Sequence, residues 1–297
     1  MKLPLLRWRL VSILVWVLVL QGCAALQLTY NNAETLVRYF AWDYVEPDQQ
    51  QAEALQEKVV RLHQWHRVNE LPTYTAFMED AGRRVARGLN RADVDWAISS
   101  MRTTYRRLSA KAADEVAPIL VTLRPEQIET LEKRLAKDQA KYARDWLSGN
   151  AARRERRATE RMVERFEEWT GDLNESQRAL IGIFVREHPR IAEIRLEDRK
   201  RWQREAVEDI RRFRKVDELA PRLSKLFSEP DSARGELYRS ETGRWENGVA
   251  NLILEMERTL TEEQRARVQK RIARYAEDFR ALARSARKQP QAAMPGS

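Results

Sequence analysis

Leu173-Asn174-Glu175-Ser176-Gln177 and Leu260-Thr261-Glu262-Glu263-Gln264 are the stretches whose reading decides the fold. In each, the residue after leucine is a good helix N-cap. Glutamate then sits in the first turn, where the helix dipole favours it, and glutamine at N3 completes a capping box. Two further stretches follow the pattern more loosely: Leu123-Arg124-Pro125-Glu126-Gln127, with proline at N1, and Val45-Glu46-Pro47-Asp48-Gln49. Glu46 and Arg124 are poor caps, so there the signal rests on proline and glutamine. Each stretch is a helix-start device contributing about 1 kcal/mol. The intervals between the four run long, short, long. That rhythm predicts an internal duplication, 45–147 matching 173–283, each half opening and closing on such a helix.

Composition points the same way. Charged residues make up 33% of the 297 positions against only ten glycines, and no alternating Val/Ile/Thr run is long enough to argue for a strand. The fold class is all-α, an elongated helical protein of two similar helical-bundle halves. Periodicity places one helix over Leu36, Tyr39, Phe40 and Tyr44. A second carries Leu55, Val59, Leu62, Trp65 and Asn69 on one face, and Pro72 is expected to end it at a corner. Asn90 with Asp93 caps a helix whose stripe is Val94, Ile98, Met101, Tyr105 and Leu108. Later helices break near Gly149-Asn150, His188-Pro189 and Pro230.

The first residues predict location. Lys2, Arg7 and Arg9 precede the apolar run from Leu10 to Leu20, and Gly22 stands before Cys23, the only cysteine. This is the layout of a secretory leader, too short for a comfortable membrane span. Its end, Leu20-Gln21-Gly22-Cys23, resembles a bacterial lipobox, which implies lipidation of Cys23 and loss of residues 1–22. Ala24 after the cysteine favours an outer-membrane address. The expected organisation is a leader at 1–22, a lipidated tether at 23–32, helical halves at 33–150 and 151–287, and a disordered tail at 288–297. The leader carries three of the nine net positive charges, and what remains favours anionic lipid or acidic polypeptide; an exported chain rarely meets nucleic acid.

Candidate chemistry is thin. With Cys23 acylated no thiol remains, and there is no phosphate-binding glycine loop and no Gly-x-Ser-x-Gly. No catalytic residue, cofactor or metal is expected. The densest functional-looking stretch runs from Trp65 to Pro72. His63, His66 and Glu70 share a helical face that suits a metal on residue type alone. The reading preferred here is structural, with Trp65 packed inside and His66, Arg67 and Glu70 bonding around the corner at Pro72, or forming a binding face. Arg153, Arg154, Arg156 and Arg157 form a second candidate, a solvated face or an anionic patch.

Two resemblances follow from these residues. The Leu-Thr-x-x-Gln form at 260–264 is similar to the motif of Spy/CpxP-type periplasmic proteins, and it implies a chaperone or stress-sensing cradle. Tyr30-Asn31-Asn32-Ala33, Trp65-His66-Arg67 and Glu70-Leu71-Pro72 resemble the signature of a family of proteobacterial lipoproteins without assigned function. Together these lead to an expectation of a non-catalytic, outer-membrane-anchored lipoprotein facing the periplasm. Its partners would be the membrane, through the lipid anchor, and either unfolded polypeptides or one dedicated envelope protein.

Overall fold

The computed structural model describes residues 27–228 and 235–288. The leader, Cys23 and the tail beyond 288 lie outside the described residues. After a helical turn at 27–31 come α1 (Ala33–Val45), α2 (Gln49–Ala86), α3 (Arg91–Leu120), α4 (Pro125–Leu147) and α5 (Ala151–Thr170). They are followed by α6 (Glu175–Glu187), α7 (Ile191–Arg212), α8 (Val216–Ser228), α9 (Glu236–Thr259) and α10 (Glu262–Lys288). No strand occurs among the described residues, and the all-α class is confirmed. At 38 residues α2 is about 57 Å long.

The helix pairings recur. α1 packs on α2 and α4, as α5 packs on α6 and α10. α2 lies against α3, as α6 and α7 lie against α9. The long partners are exchanged: α10 runs along α2, whereas α4 runs along α7. The halves are therefore interlocked and do not form separate bundles. The largest core makes the point, for it joins Ala113, Ala117, Leu123 and Ile128 to Val207, Ile210, Leu219 and Leu223. A second core gathers Val163, Leu173, Ile181, Phe184, Leu252 and Met256.

At the centre of each recurrence two helix starts meet. Gln51 and Gln127 exchange amide hydrogen bonds, Nε2 of each donating to Oε1 of the other at 3.1 and 2.7 Å. The second Nε2 hydrogen of Gln51 goes to the Thr122 carbonyl and that of Gln127 to the Glu46 carbonyl, both at 3.1 Å. Each Oε1 also accepts from the N-cap N–H of its own helix, Asp48 or Arg124. Gln177 and Gln264 repeat the arrangement. Their Nε2···Oε1 distances are 2.9 and 3.0 Å, with the Thr259 and Asp172 carbonyls as second acceptors and the Asn174 and Thr261 N–H groups as donors. All four amides are buried, and every one of their donors and acceptors is used. We call each arrangement a glutamine clasp.

Two expectations change. The first helix start is set two residues later than the Leu-x-x-x-Gln spacing predicts. Asp48 is the N-cap of α2, its carboxylate accepting from the Gln51 N–H at 3.0 Å, and Gln51 holds N3. The physical reason is that Asp48 caps well where Glu46 does not, and Glu46 instead ends α1 in a left-handed conformation at φ 46°. Pro72 does not end its helix either, because α2 runs through it. The carbonyl a proline leaves free belongs to Val68, on an exposed turn where water can reach it. The Thr73 and Thr75 hydroxyls donate to the Glu70 and Leu71 carbonyls at 2.7 and 3.0 Å, and α10 braces α2 along its length.

Breaking one clasp should be costly and cooperative. Gln177→Leu leaves the Thr259 carbonyl and the Gln264 amide unsatisfied, and is expected to cost about 1–3 kcal/mol in urea denaturation. In Gln177→Leu/Gln264→Leu the combined loss should be smaller than the sum of the single losses. Additive losses would show that the two glutamines act independently.

Candidate functional site

Residues of the Trp65–Pro72 stretch fasten the first described residues to the body. The His66 Nδ1 contacts the Tyr30 hydroxyl at 2.8 Å and Nε2 contacts the Tyr74 hydroxyl at 3.1 Å. Arg67 donates to the Asn31 side chain and lies over the Tyr30 ring at 5.3 Å. His63 Nδ1 meets Glu34 Oε1 at 2.8 Å, and Gln27 donates to Asp278 on α10 at 3.1 Å. The Tyr30-Asn31 and Trp65-His66-Arg67 motifs, far apart in sequence, are thus two sides of one contact. A neutral imidazole with two hydroxyl partners accepts from one and donates to the other, so both nitrogens are satisfied.

Burial raises the Tyr30 and Tyr74 hydroxyl pKa values and lowers that of His66. For His66 the neighbouring Glu70 carboxylate opposes the shift and His63 adds to it.

The expected roles around Pro72 are redistributed. Glu70 does not bond His66; only 1% exposed, it accepts a bidentate pair from Arg107 of α3 at 2.9 and 2.7 Å. A buried carboxylate needs a charged partner, and the planar guanidinium supplies one. Trp65 is half-buried and stands outside the core clusters. The metal alternative finds no support in the geometry, since His63, His66 and Glu70 turn to three different partners. Among the described residues no group of three or more His, Cys, Asp or Glu side chains is placed to hold a metal.

The arginine cluster is also divided. Arg154 donates to the Gly149 carbonyl at 3.0 Å, and Arg157 donates to the Ser148 hydroxyl at 3.0 Å and to its carbonyl. Arg157 closes the exposed carbonyl end of α4 at its C-cap Ser148, where a helix leaves its last acceptors unpaired, and Arg154 holds the turn just after it. Arg153 and Arg156 are the exposed members, and only they face solvent as a charged surface.

Met101 and Tyr105 share the regular stripe of α3, yet they are 56% and 53% exposed. They form a ridge between two hollows. On one side α2, α3 and α10 enclose about 690 Å³, with Tyr74, Phe77, Met78, Trp96 and Phe279 in the walls. On the other side α3 and α9 enclose about 510 Å³ bordered by Tyr238, Gly243 and Glu246. Phe77 stacks on Trp96 at 4.9 Å between centroids, and the Arg84 guanidinium covers Trp96 at 4.1 Å. Arg84 is itself tied to Asp93, whose carboxyl pKa is held well below the ordinary range, chiefly by the Arg87 guanidinium. The walls are thereby fixed. Tyr74 belongs to both places, bonding His66 on one side and facing Phe279 at 5.5 Å on the other.

Among the described residues no helix is long and apolar enough to cross a membrane.

The pH dependence of this contact has a definite sign. Folding keeps His66 neutral, so its contribution is complete above the unperturbed imidazole value of 6.5. It is lost as pH falls from there through the lowered folded value. Stability should therefore drop as pH falls below about 6.5, and His66→Gln should flatten that slope. Parallel pH profiles for the two proteins would remove His66 from this role.

Comparison with curated proteins and with solved structures finds no match. The model of one protein family does match, over residues 43–239, which take in the Met101 and Tyr105 ridge and the clasp of Gln51 with Gln127. The chain accordingly belongs to the family described as "Family of unknown function (DUF6279)".

Proposed function

We propose that this chain is a non-catalytic lipoprotein, held by acylated Cys23 on the periplasmic face of an outer membrane, which binds unfolded polypeptide along α3. The observation that carries the binding role is the exposed ridge of Met101 and Tyr105 between two aromatic-lined hollows. Soluble chains seldom leave such a surface open without a use. Methionine adapts its shape to varied side chains, and tyrosine offers a large apolar face with a polar tip. Arg106 borders the ridge beside Arg102, which pairs with Glu246, and the net charge of +6 that remains once the leader's three are subtracted from nine favours acidic segments. The proposed location rests on the basic and apolar leader and on the lipobox-like end at Cys23.

We further infer that the two halves descend from one duplicated unit, supported by the paired clasps and the exchanged helices. A one-unit member of this family should then form a two-fold dimer, with α4 of each copy along α2 of the other. A monomeric unit folded back on itself would sink that idea.

Two measurements test the function. Met101→Asp/Tyr105→Asp should abolish binding of β-casein, a natively unfolded polypeptide, while shifting stability by no more than about 0.5 kcal/mol, as surface changes do. Unchanged binding, or capture of only one folded envelope protein in a fixed ratio, would favour a structural role instead. Cys23→Ser should yield an unacylated chain that leaves the outer-membrane fraction. If the substituted chain is cleaved and still fractionates there, the lipoprotein assignment fails.

A further inference from the structure

α1 has an outer face that its neighbours do not cover. Tyr39 is 70% exposed, Phe40 55%, Trp42 49% and Leu36 42%, and Leu28 on the preceding turn is exposed as well. The inner face is fully occupied. Val45 enters the main core, with Tyr44 packed against it, and Ala41 packs on Leu55, Val59 and Ile119. Both acidic side chains of α1 are drawn to the body: Glu34 pairs with His63, and Asp43 pairs with Arg134 at 2.8 Å. The result is a helix with an aromatic outer face whose carboxylates are engaged by the body, unlike an ordinary solvated helix.

We propose that this face lies in the headgroup layer of the bilayer that holds the chain. The inference rests on the lipoprotein reading above. Gln27 follows Cys23 by four residues, a span of at most ~14 Å even when extended. From Gln27 to Tyr39 the helical path adds about 18 Å. An acylated Cys23 therefore keeps α1 within about one helix length of the membrane surface. Tyrosine and tryptophan suit that layer because their rings are amphipathic. The pairings of Tyr30 with His66, Asn31 with Arg67 and Glu34 with His63 bind this segment to α2. A membrane-seated α1 would thus orient the whole body, and with it the groove along α3.

The test uses the full chain, purified and reconstituted in phosphatidylethanolamine–phosphatidylglycerol vesicles, with the photo-cross-linking residue p-benzoylphenylalanine at position 39, 40 or, as a control in the groove, 105. Mass spectrometry of the same samples reports acylation of Cys23 separately. Lipid adducts at 39 and 40 and none at 105 are expected. An acylated chain that gives no lipid adduct at 39 or 40, or gives adducts to a second copy of the chain there, overturns the proposal. Lipid adducts on a chain without acyl groups would uphold the membrane face and refute the lipoprotein reading.

Discussion

Everything in this fold hangs on where helices begin, and the two glutamine clasps fix that. A helix start leaves backbone N–H groups without partners, and the N3 glutamine satisfies one of them with its Oε1. The same side chain then spends both amide hydrogens outside its own helix, one on the partner glutamine and one on the carbonyl five residues before that partner. Local capping and long-range joining are thus done by one group. Because the four amides are buried, a half-formed clasp leaves polar atoms stranded, so each is all-or-none. That cooperativity ties α2 to α4 and α6 to α10 at their origins, while the exchanged pairings of α10 with α2 and α4 with α7 interlock the rest.

Against this frame the chain concentrates its remaining polar chemistry in one region. His66, bridged by two tyrosines, and Glu70, gripped by Arg107, are buried groups that each require a specific partner, and the partners come from different elements. The segment after the proposed anchor is joined in this way to the helix that forms one wall of the groove. Tyr74 and Arg107 take part in both. A surface meant for polypeptide would profit from such an arrangement, since rigid walls reduce the ordering cost of binding.

Arginine is the common instrument. It closes the carbonyl end of α4 through Arg157 and holds the turn after it through Arg154, neutralises buried Glu70 and Asp93, and covers aromatic rings at Trp96, Trp146 and Trp245. Half of a cluster that reads as one basic patch in sequence is therefore structural fastening. The planar, always-charged guanidinium can bond a carbonyl, pair a carboxylate or stack on a ring, and neighbouring geometry alone selects among them.

The sequence by itself determined the helical class, most helix starts and the recurrence of the capping glutamines, because caps, dipole-matched acids and apolar periodicity act within a few residues. It also marked Tyr30-Asn31 and Trp65-His66-Arg67 as unusual, without saying that they touch. Only the tertiary structure decided that Pro72 stays inside α2, since this depends on an exposed carbonyl and on α10 alongside. Only it decided that Glu70 belongs to Arg107, that Arg154 and Arg157 face inward to α4, and that Met101 and Tyr105 stand in the open. A helical stripe states which residues share a face; whether another helix covers that face is settled by the packing of distant elements, and among the described residues none covers Met101 and Tyr105.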